Sequence, residues 1–294
     1  MSTIAFIGLG IMGSPMACHL ARAGHAVIGY NRSPERTAAL VEAGGTAAES
    51  VEEAVKNADV VATMVPDSPD VQSVLLGDDG AFAHAQPGTL VIDFSTIRPD
   101  VTAELARVGA RRGLRVIDAP VSGGEPGAKN ATLSIMVGGS ADDFAAARPI
   151  LDVVGKTIVH VGPAGAGQTV KAANQLIVAG NIELLAEAIT FLQAYGVDIE
   201  AAVKVLGGGL AGSAVLDQKA PKMLARNFEP GFRIALHHKD LGIVTAAARE
   251  AGVVTPLGAL VAQLMASAVA NDEGALDHSA LLLGVERLSG RESE

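Results

Sequence analysis

The chain has 294 residues, of which 49% are hydrophobic and 18% are charged, and this composition is typical of a globular protein of about two domains. The net charge of -10 and an aromatic content of only 3% argue against a nucleic-acid partner, because such proteins use positive charge and aromatic stacking surfaces. A single cysteine, Cys18, excludes an intrachain disulfide and favours a reducing, cytoplasmic compartment.

The N-terminal segment has the pattern of a strand, a tight turn and a helix. Residues 4–7 are apolar and are followed by GLGIMG, in which Gly8, Gly10 and Gly13 fit the G-x-G-x-x-G turn. Residues 25–30 predict the second strand of a βαβ unit, which favours a bound dinucleotide over the alternative of a glycine-rich turn without a ligand. The predicted cofactor residues of this turn are Gly8, Leu9, Gly10, Ile11, Met12 and Gly13.

The second predicted strand is followed by Asn31, Arg32 and Ser33, at the place where NAD-binding proteins usually carry an acid for the ribose hydroxyls. Arg32 can pair with a 2′-phosphate or stack on the adenine, and Ser33 can add a hydroxyl donor. We therefore expect these three residues to bind the cofactor, with NADP(H) preferred and NAD(H) possible. The alternative is that Asn31 and Ser33 only cap the helix that Pro34 begins.

Strands and helices continue to alternate, which predicts a parallel, doubly wound α/β sheet. The predicted strands are 60–64, 90–93 and 115–118, and the predicted helices are 71–75 and 100–110. Ligands bind beyond the carboxyl ends of such strands, so Val65, Pro66 and Thr96 are predicted at the edge of the cofactor. For Ser95 and Thr96, helix capping before Pro99 is the alternative.

The run DAPVSGGEPGA follows a predicted strand end. Ser122, Gly123 and Gly124 offer a hydroxyl and consecutive backbone N–H groups with little side-chain cover, which suits a carboxylate or another small anion. A structural glycine turn is the alternative. Predicted strands at 133–137 and 157–161, with the helix 141–151 between them, would complete a Rossmann-type first domain over residues 1–163.

The stretch 165–195 reads as one long helix that joins this domain to the rest of the chain. Lys171, Asn174 and Gln175 lie at i, i+3 and i+4, so their side chains share one face of the helix. Either they contact water or they bind a ligand near the domain junction. A membrane span is not expected, because only residues 172–182 run without a charge and a spanning helix needs about 18.

The remainder predicts an all-helical second domain over residues 164–294. Helices are expected to start at Asp198 or Glu200, after Ser213, at 232–250, at 256–270 and near Ser279. Their faces are rich in Ala, Leu and Val, which favours self-association as a homo-oligomer, either a dimer or a tetramer. No metal is predicted, because the adjacent His237 and His238 point in different directions on a helix.

Three runs together resemble the β-hydroxyacid dehydrogenase family, in the same order and spacing: FIGLGIMGSPMA, DAPVSGGEPGA and GAGQTVKAANQ. The resemblance implies that the first run holds NAD(P) and that Ser122–Gly124 binds the substrate carboxylate. It also implies that Lys171 is the general acid/base and that Asn174 orients the substrate. Gln175, which stands where the family commonly has asparagine, is expected to help hold the substrate, and Lys239 matches a lysine over the cofactor cleft.

The activity that this resemblance implies is NAD(P)H-dependent reduction of a small carboxylated aldehyde. The KAANQ form is similar to the branch that reduces tartronate semialdehyde, while 3-hydroxyisobutyrate dehydrogenase or another semialdehyde reductase is the alternative. A non-catalytic dinucleotide-binding module is an alternative of a different class. One departure is Ala131, where the family often has glycine.

Overall fold

The structure is a computed structural model that describes residues 1–291. Chain contacts divide it into two compact units, Met1–Lys171 and a second unit that begins at Ala172. The predicted fold class, a Rossmann-type doubly wound sheet followed by an all-α domain, is confirmed. The functional boundary predicted at residues 163–164 stays a prediction.

The first unit contains the sheet and the helices that flank it. Its strands are β1 Thr3–Ile7, β2 Ala26–Tyr30, β3 Thr46–Ala47, β4 Val60–Thr63, β5 Leu90–Asp93, β6 Arg115–Asp118, β7 Val121–Ser122, β8 Leu133–Gly138 and β9 Gly155–Gly162. Its helices are α1 Gly13–Arg22, α2 Ala38–Glu42 after a 3₁₀ turn at Pro34–Thr37, α3 Val51–Val55, α4 Ser68–Leu76, α5 Ala81–His84, α6 Pro99–Arg111, α7 Gly124–Lys129 and α8 Ala141–Val154. Helix α9, Ala166–Ala194, begins in this unit and continues into the second.

The strand order is β3-β2-β1-β4-β5-β6-β8-β7, with β9 paired to β8. Strands β1 to β6 are mutually parallel, and the order reverses between β1 and β4, where ligands bind in folds of this type. Strand β8 is antiparallel to β6 and β7, a direction that the sequence pattern does not predict. The connection from β6 to β8 contains β7 and the short α7, and β7 pairs with β8 in antiparallel register.

Helices cover both faces of the sheet, and the central strands are therefore buried on both sides. In β1, alternate residues enter different cores: Ile4 and Phe6 pack on one face, while Ala5 and Ile7 pack on the other. Phe6 also stacks on Phe94, with ring centroids 6.4 Å apart. This packing gives the loops at the carboxyl ends of the strands a rigid support.

The second unit is helical and has an aliphatic core of its own. Its elements are α10 Ile199–Gly207, α11 Ala214–Leu224, α12 Ile234–Glu250, α13 Pro256–Ala270, a 3₁₀ turn at His278–Ala280 and α14 Leu281–Leu288. Asp198 and Ser213 cap α10 and α11 as predicted, each accepting a backbone N–H bond of 3.1 Å. Near Ser279 the cap is instead Asp277, which accepts from the Ser279 N–H and hydroxyl.

By length and composition, α9 is apolar enough to cross a membrane, and half of its most apolar window is buried in the protein. The core helix of a soluble protein passes the same test, so this property carries little weight.

Candidate active site

The three glycines in the turn between β1 and α1 have different steric surroundings. Gly8 has φ 99°, and a Cβ there would collide with the carbonyl of Met64. A Cβ on Gly13 would collide with the Gly8 carbonyl oxygen, so the third glycine allows close packing of helix and strand. At Gly10, no heavy atom of residues 1–291 lies within 4 Å of a Cβ position. The open space at Gly10 fits a pyrophosphate against the backbone and the N-terminus of α1.

Asn31 ties this turn to the end of β2. Its Oδ1 accepts the Leu9 N–H at 2.9 Å, and its Nδ2 donates to the Ser33 carbonyl oxygen at 3.1 Å. The capping alternative for Asn31 was therefore wrong, since its amide shapes the glycine turn. Ser33 occupies the N-cap position of the 3₁₀ turn at Pro34, and Arg32 is exposed. The other turn residues differ in exposure, with Leu9 buried, Ile11 exposed and Met12 at the N-cap of α1.

The loops after β4 and β5 are joined by Ser95. Its Oγ accepts the Val65 N–H at 3.0 Å, and its own N–H donates to Asp93 Oδ1 at 3.0 Å. Ser95 is fully buried and the N-cap residue of α6 is Arg98, so the capping alternative for Ser95 was wrong. The predicted cofactor residues Val65, Pro66 and Thr96 thus lie on two loops that are bonded to each other.

Ser122 ends β7 and Gly124 begins α7, so these two residues and Gly123 form a partly exposed junction between the two elements. Gly123 has φ 135° and Gly124 has φ 60°, so the backbone itself favours glycine at both positions. At the other end of α7, Ala131 has φ 54°. The chain therefore keeps a left-handed turn there without the glycine common in the family, at a cost of about 1 kcal/mol.

The start of α9 is attached to the end of β6 by Asp118. Its two carboxylate oxygens accept the backbone N–H groups of Gly165 and Gln168, both at 2.8 Å. Burial raises the pKa of the Asp118 carboxyl, and these N–H bonds lower it in part. Lys171 lies on the next turn of α9 and is only 6% exposed. Because Lys171 is buried and its helix is bonded to the sheet, the ammonium group is restricted to a narrow range of positions.

Asn174 and Gln175 belong to a hydrogen-bonded chain in the second unit. Gln175 Nε2 donates to Asp240 Oδ2 at 2.5 Å, and Asn174 Nδ2 donates to Gln175 Oε1 at 2.8 Å. A carboxylate can only accept, which fixes the orientation of both amides. Lys239 Nζ lies 2.8 Å from Asp240 Oδ1. Asp240 therefore contacts two predicted site residues, Gln175 and Lys239, and reaches a third, Asn174, through Gln175. The substrate contact predicted for Gln175 stays a prediction.

His237 of α12 contacts protein groups through both ring nitrogens. His237 Nε2 lies 3.2 Å from the Gln175 carbonyl oxygen, and His237 Nδ1 lies 3.0 Å from His278 Nδ1. Among residues 1–291, no group of three His, Cys, Asp or Glu side chains is arranged to hold a metal ion.

Sequence reasoning missed Asp118 and Gln168. A strand-end aspartate and a glutamine inside a helix carry no spacing signal of their own. The available clue was the short glycine-rich start of α9, which allows close approach to the sheet.

Comparison with known proteins connects this arrangement to a family. Residues 3–162 match the NAD binding domain of 6-phosphogluconate dehydrogenase, and residues 165–284 match the NAD-binding domain of NADP-dependent 3-hydroxyisobutyrate dehydrogenase. The chain is 41% identical to 2-hydroxy-3-oxopropionate reductase of Escherichia coli (strain K12), covering 97% of this chain and 98% of that protein. It is 39% identical to 3-hydroxyisobutyrate dehydrogenase of Pseudomonas aeruginosa, covering 96% and 97%.

The fold is also similar to a solved structure, Mycobacterium tuberculosis 3-hydroxyisobutyrate dehydrogenase with L-serine. The TM-score is 0.88 at 37% identity, covering 96% of this chain and 98% of that one. Sequence and fold are similar to these proteins over nearly the whole length of the chain. The chain therefore belongs to the β-hydroxyacid dehydrogenase family of NAD(P)-dependent oxidoreductases acting on CH–OH groups.

Proposed function

We propose that the protein reduces tartronate semialdehyde (2-hydroxy-3-oxopropanoate) reversibly to D-glycerate with NADPH or NADH. The observation that carries this proposal is the buried Lys171, one helical turn before Asn174 on α9. The identity to the Escherichia coli reductase over 97% of this chain supports the choice of substrate.

In this proposal each group has one task. The hydroxyl and N–H groups of Ser122–Gly124 bind the substrate carboxylate, and Asn174 orients the substrate. When bound, a reduced nicotinamide cofactor would supply the hydride for the aldehyde carbon. Lys171 donates its proton to the carbonyl oxygen, so the aldehyde gains two hydrogens and becomes the primary alcohol of glycerate. Acid catalysis of this kind contributes about 10² to 10⁴ in rate.

We also propose the division of the cofactor site. The glycine turn from Gly8 to Gly13 would hold the pyrophosphate, and Arg32 with Ser33 would contact the adenosine 2′-phosphate, which favours NADP(H). Asn31 acts by fixing Leu9 and thus the shape of the turn. Val65, Pro66, Thr96 and Lys239 remain the proposed contacts at the nicotinamide end.

A second candidate activity is the oxidation of 3-hydroxyisobutyrate, favoured by the 39% identity to the Pseudomonas aeruginosa enzyme. A spectrophotometric panel of C3 and C4 semialdehydes with NADPH and NADH, run beside 3-hydroxyisobutyrate and L-serine in the oxidative direction, separates the two. We expect the highest kcat/KM for tartronate semialdehyde. A higher value for methylmalonate semialdehyde or 3-hydroxyisobutyrate would favour the second activity.

The carboxylate site is best tested with Ser122→Ala. A side chain at Gly123, as in Gly123→Val, would combine an effect on binding with an effect on the backbone. Valine at φ 135° would strain the backbone whatever its effect on binding. Loss of one hydroxyl should raise the substrate KM and leave cofactor binding nearly unchanged.

We further propose a cytoplasmic homo-oligomer. Cys18 is a free, buried thiol, which suits a reducing compartment. The outer face of α9 exposes Ile177, Leu184 and Phe191 at intervals of seven residues. Repeats of this spacing are typical of helices that pack on another helix.

A further inference from the structure

A buried glutamine joins the helix of Lys171 to the loop of Thr96. Gln168 is 1% exposed and lies one turn before Lys171 on α9. Its Oε1 accepts the Ile97 N–H at 3.0 Å, and its Nε2 donates to the Ser95 carbonyl oxygen at 2.8 Å. The two bonds reach the residues on either side of Thr96.

The chemistry of these partners fixes the side chain in one orientation. A backbone N–H can only donate and a carbonyl oxygen can only accept, so the amide of Gln168 fits its two partners in one way. The backbone N–H of the same residue donates to Asp118 Oδ2. One residue therefore connects α9, the end of β6 and the loop after β5.

The connection extends to the loop after β4, because Ser95 Oγ accepts the Val65 N–H. All of these groups lie in the first unit. Burying a primary amide costs free energy unless every hydrogen bond is made. An apolar side chain of similar length could fill the same space but could not hold the Ser95–Ile97 backbone in register with α9.

We propose that Gln168 is a positioning residue, which sets the distance between the Thr96 loop and the Lys171 ammonium group. The inference rests on the proposed roles of Thr96 and Lys171. A proton donor and a cofactor edge must be aligned to a fraction of an ångström for both transfers to occur together. The two side-chain hydrogen bonds of Gln168 supply this alignment within the first unit of the chain.

The test compares Gln168→Met, which keeps the length of the side chain and removes both bonds, with Gln193→Met, an exposed glutamine on the same helix. Hydrogen exchange of the Ile97 amide in the cofactor-free protein should become at least about tenfold faster in Gln168→Met only. The kcat should fall about ten- to a hundredfold, with a larger primary isotope effect from 4-deuterated NADPH. The NADPH Kd, measured by nicotinamide fluorescence, should change less than about threefold because the glycine turn is untouched.

Gln168→Glu should restore both hydrogen bonds only at low pH, where its carboxyl group is protonated. Its carboxylate can accept the Ile97 N–H, but only its protonated form can donate to the Ser95 carbonyl oxygen. Its kcat relative to wild type should therefore rise as the pH is lowered, whereas a role in packing alone predicts a constant ratio.

Two outcomes would overturn the proposal: unchanged kcat and isotope effect in Gln168→Met, or faster Ile97 exchange with no change in turnover. Failure of the proposed function is distinguished by Lys171→Met. If that variant stays active, the role of Lys171 is wrong, while the exchange result for Gln168 still reports whether the loop is held.

Discussion

At the scale of single residues, Lys171 carries the most specific prediction. Replacing it with methionine keeps the packing volume and removes the proton donor. The kcat and kcat/KM should fall together by about 10² to 10⁴, while NADPH binding measured by fluorescence stays near the wild-type value. Lys204→Met, an exposed lysine on α10, is the matched control. Retention of more than about a tenth of the wild-type kcat would exclude Lys171 as the acid.

In the proposed site, Arg32 is predicted to set the preference for NADPH over NADH. It is exposed after β2, and Asn31 beside it has no charge to repel a 2′-phosphate. A charge-assisted hydrogen bond contributes about 1.5 to 3 kcal/mol, so Arg32→Ala should reduce the preference for NADPH about ten- to a hundredfold. The ratio of the two cofactor Kd values measures this directly, with Arg111→Ala at the end of α6 as a control. A ratio that does not move would remove Arg32 from the site.

The burial of Glu183 predicts that the stability of the protein depends on pH. It is 4% exposed, and its Oε2 has no hydrogen-bond partner in the described part of the chain. Burial, with a smaller contribution from Glu187, raises the pKa of this carboxyl from 4.5 to about 7. The folded protein therefore holds the proton more tightly, and the stability that this provides below pH 4.5 is lost as the pH rises through 7.

Glu183→Gln should remove this dependence. Between pH 5 and 8 the wild type should lose about 2 kcal/mol relative to the variant, an order-of-magnitude figure from the size of the shift. Urea unfolding of both proteins at several pH values measures the difference, and other titrating groups cancel in it. Parallel pH profiles would mean that a group outside the described contacts already satisfies Glu183.

At the scale of elements, the turn between α7 and β8 contains a correctable strain. Ala131 has φ 54°, where a glycine has no steric cost. Ala131→Gly should stabilise the protein by about 0.5 to 1 kcal/mol, the relief of strain less the added entropy of the unfolded chain. Ala146→Gly, at an exposed position inside α8, should change stability in the opposite direction by about 1 kcal/mol. Thermal unfolding of the two variants with opposite signs would support the assignment, and destabilisation by both would contradict it.

The predicted helices and strands agree with the observed ones to different degrees. Strands β5 and β6 were predicted with their observed bounds, and α9 to within a residue at each end. In each case glycine or proline near an apolar run marks where the element begins or ends. The direction of β8 could not be read, since an apolar strand pattern is the same for parallel and antiparallel pairing. The bonds of Ser95 and Asn31 were missed because a short polar residue near a helix start suits a cap equally well.

At the scale of the whole molecule, α9 combines two properties on different faces. One face carries the polar residues Lys171, Asn174 and Gln175, which spacing alone identified. A different face of α9 carries an exposed row of apolar residues. This row could be recognised only once the structure showed which positions of the helix are buried. Ile177, Leu184 and Phe191 are 62%, 51% and 62% exposed. We propose this row as the location of the self-association that the composition predicts.

We expect this row to pack against a second copy of the chain, so that a charge at its centre prevents association. Burying a leucine contributes about 1.5 to 3 kcal/mol, and a symmetric dimer buries two. Leu184→Lys should therefore weaken dimerisation by at least about a hundredfold. Sedimentation equilibrium measures the shift, with Leu210→Lys, fully exposed between α10 and α11, as the control. An unchanged assembly in Leu184→Lys, or equal loss in both variants, would place the interface elsewhere.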